Sequence, residues 1–181
     1  MSVPTQILVQ DANPVLTTER LTLRKLDVRD FPVARSFFAT SRAEFVGGKR
    51  DAGEAWRTLA MMIGHWSMRG FGLFAFSPHG SDQALGIAGP WFPADWPEHE
   101  IGWHVWDPAH EGKGYAFEAA RAARNYAREM LGMDQLVSYI AEGNTRSIAL
   151  AERLGAVLDK KAPHPKGRPC LVYRHPREVI S

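Results

Sequence analysis

The stretch Trp103-His104-Val105-Trp106-Asp107-Pro108-Ala109-His110-Glu111-Gly112-Lys113-Gly114-Tyr115-Ala116 constrains the fold more than any other. It reads as a strand, a loop with two glycines, and the start of a long helix. Pro108 ends the strand because it has no backbone donor for a ladder. Gly112 and Gly114 let the chain turn tightly with no Cβ in the way. Beyond the loop Ala116, Ala119, Ala120, Ala123, Ala127, Met130 and Leu131 recur at spacings of three and four, which predicts a helix. A glycine loop that opens a helix leaves backbone N–H groups unpaired in front of the positive end of the helix dipole. That arrangement suits an anion such as a pyrophosphate. The same residues also fit an ordinary strand-to-helix turn, and short glycine motifs do not decide between the two without context. The dinucleotide fingerprint is not met, since its third glycine would fall at Phe117, and no Gly-Lys-Ser/Thr of a P-loop is present.

The 181 residues suit one domain, 1–181, with a core over about 16–174 and an N-terminal arm over 1–15. A chain of this size buries roughly 70% of the surface that its unfolded form exposes, so it needs no staples. Cys170 is the only cysteine, which excludes an internal disulfide and suits a reducing compartment. Residues 1–16 lack a basic start followed by an apolar run, and no stretch of about 18 apolar residues occurs. The expectation is therefore a cytoplasmic protein with no membrane partner. A net charge of +2 gives no sign of a nucleic-acid surface. The basic residues Lys160, Lys161, Lys166, Arg168, Arg174 and Arg177 read as a solvated loop and tail.

In chain order, Arg20 to Leu26 alternates as a strand, and Asp27 or Asp30 caps a helix running to about Thr40. Asp51 and Glu54 form a capping box for a second helix, ended by Gly70, with Trp56 and Trp66 on its apolar face. Strands follow over Phe71–Phe76 and Ala84–Trp91. Trp91-Phe92-Pro93-Ala94-Asp95-Trp96-Pro97 puts three aromatic rings among two prolines, more apolar surface than a free loop carries. It either covers a site or packs locally on the sheet. Glu98 to Trp106 is the central strand, with Glu100, Gly102 and His104 on one face and Ile101, Trp103 and Val105 on the other. A strand over Leu136–Ala141, a helix from Asn144 to Leu154 and a closing hairpin over 157–173 complete an α/β layered pattern with a mixed sheet.

Four of these segments, in order, resemble the GNAT N-acetyltransferase superfamily, in the branch of the ribosomal-protein N-terminal acetyltransferases. Glu111-Gly112-Lys113-Gly114-Tyr115-Ala116 is similar to its Gln/Arg-x-x-Gly-x-Gly/Ala loop, matching at Gly114 and Ala116 and departing at Glu111. Glu100-Ile101-Gly102-Trp103 resembles the strand before that loop. Asn144-Thr145-Arg146-Ser147 with Glu152-Arg153-Leu154-Gly155 resembles the downstream Asn-x-x-Ser segment, and Thr18 to Arg24 the opening strand. The resemblance implies a twisted, mostly antiparallel sheet of six or seven strands with about four helices, splayed beside the central strand. It implies acetyl-CoA as cosubstrate and a primary amine, on a small molecule or a protein N-terminus, as acceptor. Backbone groups of Trp103, His104 and Val105, the loop Glu111, Gly112, Lys113, Gly114, Tyr115 and Ala116, and the side chain of Asn144 would hold acetyl-CoA.

Amide formation from a thioester also needs a base. Glu100, one strand-length from the loop, is the first candidate, ahead of Glu98, His99 and His104. Its alternative is a solvent-facing or ion-paired glutamate. The tyrosine that many family members carry after this helix is absent from Gly155-Ala156-Val157-Leu158; the resemblance implies Ser147, which matches a serine sometimes given the acid's part, and that hydroxyl equally fits a first-turn residue of the helix. Trp91, Phe92 and Trp96 are the candidate acceptor wall. His99, Glu100 and His104 do not follow a zinc spacing, so no metal is expected. The competing functions are an acyl-CoA-binding module without catalysis and a nucleotide-binding protein. The chain is expected to act as a monomer or homodimer.

Overall fold

The computed structural model describes residues 6–8 and 13–177. Among the described residues nine strands form one sheet: β1 (Gln6–Leu8), β2 (Val15–Thr17), β3 (Leu21–Lys25), β4 (Phe74–Pro78), β5 (Gly86–Trp91), β6 (Glu100–Val105), β7 (Val137–Ile140), β8 (Val157–Leu158) and β9 (Leu171–Arg174). Their order is β1-β2-β3-β4-β5-β6-β7-β9-β8. Seven of the nine match strands predicted from the sequence. Of the two additional strands, β1 lies in the segment read as an N-terminal arm, of which residues 1–5 and 9–12 lie outside the described residues, and β2 runs from its end into the core. β1 pairs with β2 from Gln6↔Thr17 to Leu8↔Val15. Strands of three residues carry too little alternation to be read from a sequence.

Four α-helices cover the sheet: α1 (Phe31–Phe38), α2 (Ala52–Arg69), α3 (Tyr115–Glu129) and α4 (Thr145–Arg153). Each starts where the sequence supplies a local reason. Asp27 and Asp30 form a capping box around a short 3-10 turn, and α1 continues from it with Pro32 in its first turn. Asp51 and Glu54 close the capping box of α2, and Gly70 ends that helix at φ +77°. Asn144 accepts the Ser147 N–H at the start of α4.

α3 lies on one face of the sheet. Its buried alanines Ala119, Ala120, Ala123 and Ala127 let it approach closely, and with Phe74 and Leu136 they belong to one core cluster. α1 and α2 cover the other face through Phe37, Phe38, Leu59 and Met62, packed with Ala75 and Ile87. Trp66 is buried and donates its indole N–H to the Leu73 carbonyl at 2.9 Å. Trp56, predicted on the apolar face of α2, is instead 56% exposed. The buried stripe of α2 runs through Ala55, Leu59, Met62, His65 and Trp66.

Every neighbouring strand pair is antiparallel except β6 with β7, which is parallel and paired only at Glu100↔Val137. The Val137 N–H donates to the His99 carbonyl at 3.0 Å. At the next carbonyl facing β7, that of Ile101, the donor is the Ser138 hydroxyl at 2.7 Å, and Ser138 Oγ also meets His175 Nε2 at 3.0 Å. A side chain thus takes the place of a ladder bond, and the two strands part beyond it.

Candidate functional site

The glycine loop is shaped as its residues suggest. Gly112 and Gly114 sit at φ +72° and +80°, where a Cβ is strained, and Gly114 is the N-cap of α3. By helix geometry the N–H groups of Tyr115, Ala116 and Phe117 have no intrahelical acceptor. Arg20 fastens the loop. Its guanidinium donates to the Lys113 carbonyl at 3.0 Å and to Glu118 at 2.6 Å, and it lies 4.7 Å from the centre of the Tyr115 ring. Glu118 also accepts the Thr18 hydroxyl at 2.6 Å and the Arg20 N–H at 2.8 Å. Burial pushes the Glu118 carboxyl up, but these bonds and the Arg20 charge bring it below the usual range. Thr18 and Arg20 therefore tie the opening strand to the loop across nearly 100 positions.

Glu111 does not leave a free negative charge beside this loop. Its carboxylate pairs with Arg42 at 2.5 Å and with Arg146 of α4. Arg42 also donates to the carbonyls of Val105 at 2.8 Å and Trp106 at 2.5 Å. Two guanidiniums on one carboxylate leave the surroundings of the loop net positive, which fits a bound pyrophosphate.

The splay between β6 and β7 opens backbone groups to this region. The Trp106 N–H donates to Leu85 on the β5 side at 2.8 Å. Antiparallel pairing alternates, so the N–H groups of His104 and Gly102 face β5 and those of Trp103 and Val105 face the opening. Two cavities meet there. A groove of about 660 Å³ runs past Gly112, Gly114, Tyr115 and Arg146. A second cavity of about 600 Å³ extends past Glu100, Trp91, Trp96 and Tyr139. Trp103, His104, Asn144, Ser147, Phe45 and Val46 line both.

Glu100 reaches into the second cavity. Trp96 Nε1–H donates to its carboxylate at 2.6 Å, and the Tyr139 backbone N–H supports it as well. Burial outweighs both and Arg168, and the carboxyl is pushed up to about 7. His104 stacks on Phe37 at 5.9 Å, and burial, with the Arg50 charge, drives its imidazole down to about 4, so it is neutral. Ser147 Oγ accepts the Trp103 indole N–H at 3.3 Å, which leaves its own proton to donate.

The three residues of the aromatic loop separate. Trp91 and Trp96 line the second cavity. Trp91 is held by His65, which stacks on it at 4.2 Å, meets the Phe71 carbonyl at 2.8 Å and accepts the Phe92 N–H at 3.0 Å. Phe92 does not line the cavity: its ring packs on His99 at 4.3 Å with Arg69 4.9 Å above it. Lys113 likewise contributes its carbonyl to Arg20 and is not part of the groove wall. Glu98 is taken up by Arg174, at 2.8 Å, which also binds Asp159. Arg174 therefore leaves the predicted solvated basic tail, whereas Arg168 stays on an exposed loop with its guanidinium 5.2 Å over the Trp96 ring. Arg42, Arg50 and Arg168 carry no motif; the site acquires them only by folding.

Comparison with known proteins places the chain. The profile of the GNAT acetyltransferase domain matches residues 20–157. An acetyltransferase from Agrobacterium tumefaciens is 38% identical, with 94% of this chain and 98% of that one covered and a TM-score of 0.85. A GNAT-family acetyltransferase from Bacillus anthracis is 21% identical over 89% of this chain and 96% of that one, with a TM-score of 0.69. The fold is also that of the ribosomal-protein-S5-alanine acetyltransferase from Vibrio fischeri, 14% identical over 92% and 98%, with a TM-score of 0.66. The chain therefore belongs to the GNAT acetyltransferase family.

Proposed function

We propose that the protein is an acetyl-CoA-dependent N-acetyltransferase that moves an acetyl group to a primary amine by direct attack on the thioester. The observation that carries this reading is the meeting of two cavities at the splay of β6 and β7. One is bordered by an anion-binding loop and the other holds a carboxyl pushed up to about 7. The N–H groups at the start of α3 would hold the pyrophosphate, with Arg42 and Arg146 beside them. The outward N–H groups of Trp103 and Val105 would bind the pantetheine arm and polarise the carbonyl. Acetyl-CoA, when bound, supplies the activated acyl group.

The chain's own residues do the rest. An amine arrives protonated and must lose a proton. Glu100 is part-ionised near neutrality and accepts it, directly or through water. His104, with its imidazole down at about 4, is too weak a base for this. Ser147, whose oxygen is already engaged by Trp103, donates a hydrogen bond to the leaving thiolate, which takes up the second proton lost by the attacking nitrogen. The acceptor stands in the cavity walled by Trp91 and Trp96. Such chemistry suits a cytoplasmic protein; among the described residues no helix is long and apolar enough to cross a membrane.

Thermal melting with acetyl-CoA, CoA, ATP and NAD tests the cosubstrate. Ligand at a hundred times its Kd adds about 2.7 kcal/mol to stability, about 5 °C or more for a chain of this size. A shift with the CoA forms and none with ATP or NAD is the expected result. Absence of a CoA shift would refute the reading. Thiol release in an amine screen then separates an enzyme from a binding module.

A further inference from the structure

The second cavity carries charges that a simple cationic amine does not call for. Arg50 and Arg168 both line it. Neither guanidinium has an ion pair with a carboxylate among the described residues. Arg50 lies 4.6 Å over the Phe38 ring and donates from Nη2 to the Val46 carbonyl at 2.9 Å. Its Nη1 is buried with no hydrogen-bond partner among the described residues. Arg168 lies 5.2 Å over the Trp96 ring, which in turn holds Glu100.

The Arg168 charge acts on Arg50 and, with burial, lowers its pKa. The acids nearby do not cancel them. Glu54 acts on Arg50 through its charge but makes no ion pair with it, and its carboxylate accepts the Asp51 N–H at 2.9 Å. Asp95 is exposed at the rim. Glu100 is the proposed base and is engaged by Trp96. The part-buried guanidinium of Arg50, with its unpartnered Nη1, is costly as it stands, and a planar oxyanion satisfies it with two parallel bonds; the exposed Arg168 stands over Trp96 at the rim of the same cavity as a second positive charge.

We infer that the acceptor is a small primary amine that also carries an oxyanion, a carboxylate or phosphate, on an apolar body, with Arg50 and Arg168 binding the anion while the amine faces Glu100. This rests on the acetyl-transfer reading and names its substrate class. The cavity volume of about 600 Å³ suits a small molecule. A protein N-terminus would offer an amide where the arginines seek a charge.

The test uses matched acceptors that differ only at the acid. Phenylalanine is compared with phenylalanine amide and phenethylamine, longer ω-amino acids with their amides, and phosphoethanolamine with ethanolamine. The readout is kcat/KM from thiol release with acetyl-CoA. At least one anionic member should exceed its neutral partner by about tenfold or more, since a site built around a charge rejects the analogue that lacks it. The carboxylate and phosphate arms identify which oxyanion is used. Arg50→Met and Arg168→Met should each collapse that preference while the melting shift with acetyl-CoA persists. Arg168 is on an exposed loop, so its variant carries the test if Arg50→Met does not fold. Equal rates for acid and amide overturn the inference. So does a preference that survives Arg168→Met, or no turnover of any member while acetyl-CoA still shifts the melt. Loss of the acetyl-CoA shift in the unmodified protein would instead strike the acetyl-transfer reading itself.

Discussion

Replacing Glu100 by Gln should move activity and stability in opposite directions. The carboxyl is displaced from an ordinary 4.5 to about 7 by burial. At about 1.4 kcal/mol for each pH unit, keeping it ionised in the fold costs about 3 kcal/mol above pH 7. One side of the group faces the cavity, so water reduces this to about 2 kcal/mol. A raised folded pKa means that the unfolded chain ionises first. The cost is absent below pH 4.5, grows between 4.5 and 7, and is constant above. Glutamine carries no such cost and keeps an acceptor for the Trp96 N–H. The melting temperature of Glu100→Gln, minus that of the unmodified protein, should therefore rise between pH 5 and pH 8 by about 4–8 °C. In the same protein kcat should fall by about a hundredfold or more, as for loss of a general base, with acetyl-CoA affinity unchanged. A melting difference that is flat with pH would refute the buried-carboxyl account. Unchanged turnover would remove Glu100 from the mechanism.

Other consequences follow from neighbouring contacts. Trp96→Phe removes the donor that lowers the Glu100 pKa, so the rising limb of the kcat/KM profile should move above pH 7; a limb that stays in place or moves to acid would count against the assignment. His175 is held neutral by burial beside Arg124 and Arg128 and falls to about 3 from 6.5, so its contribution is complete above pH 6.5 and is lost as pH falls toward 3. Urea unfolding should show about 2 kcal/mol of loss at pH 5 from this group. His104 adds in the same direction, and His175→Gln should flatten the curve only in part. Arg20→Ala cuts the tie between the loop and Glu118; acetyl-CoA Kd should rise about three- to tenfold with the acceptor KM little changed, and calorimetric titration of acetyl-CoA checks it.

Much of the frame is local and was legible. Capping residues, glycines and apolar spacing act within a few positions, so Asp51, Gly70, Asn144 and the 112–114 loop could be read directly. The face shared by Glu100 and His104 follows from strand alternation alone. Trp56 escaped because helical spacing does not say how wide a helix's buried stripe is. The aromatic loop also mixed two roles: Trp91 and Trp96 line the cavity while the Phe92 ring packs on His99.

What the sequence determined by itself is therefore the strand–loop–helix unit with its unpaired N–H groups, because these arise from backbone sterics over a dozen residues. The tertiary structure alone decided that Ser138 interrupts the β6–β7 ladder and opens the sheet. It also decided that Arg42 and Arg146 neutralise Glu111 and that Arg50 and Arg168 face one cavity. Those partners lie tens to more than a hundred positions apart, and no periodicity links them. Burial, which sets the pKa of Glu100, is likewise a property of everything packed around a residue and not of its neighbours in the chain.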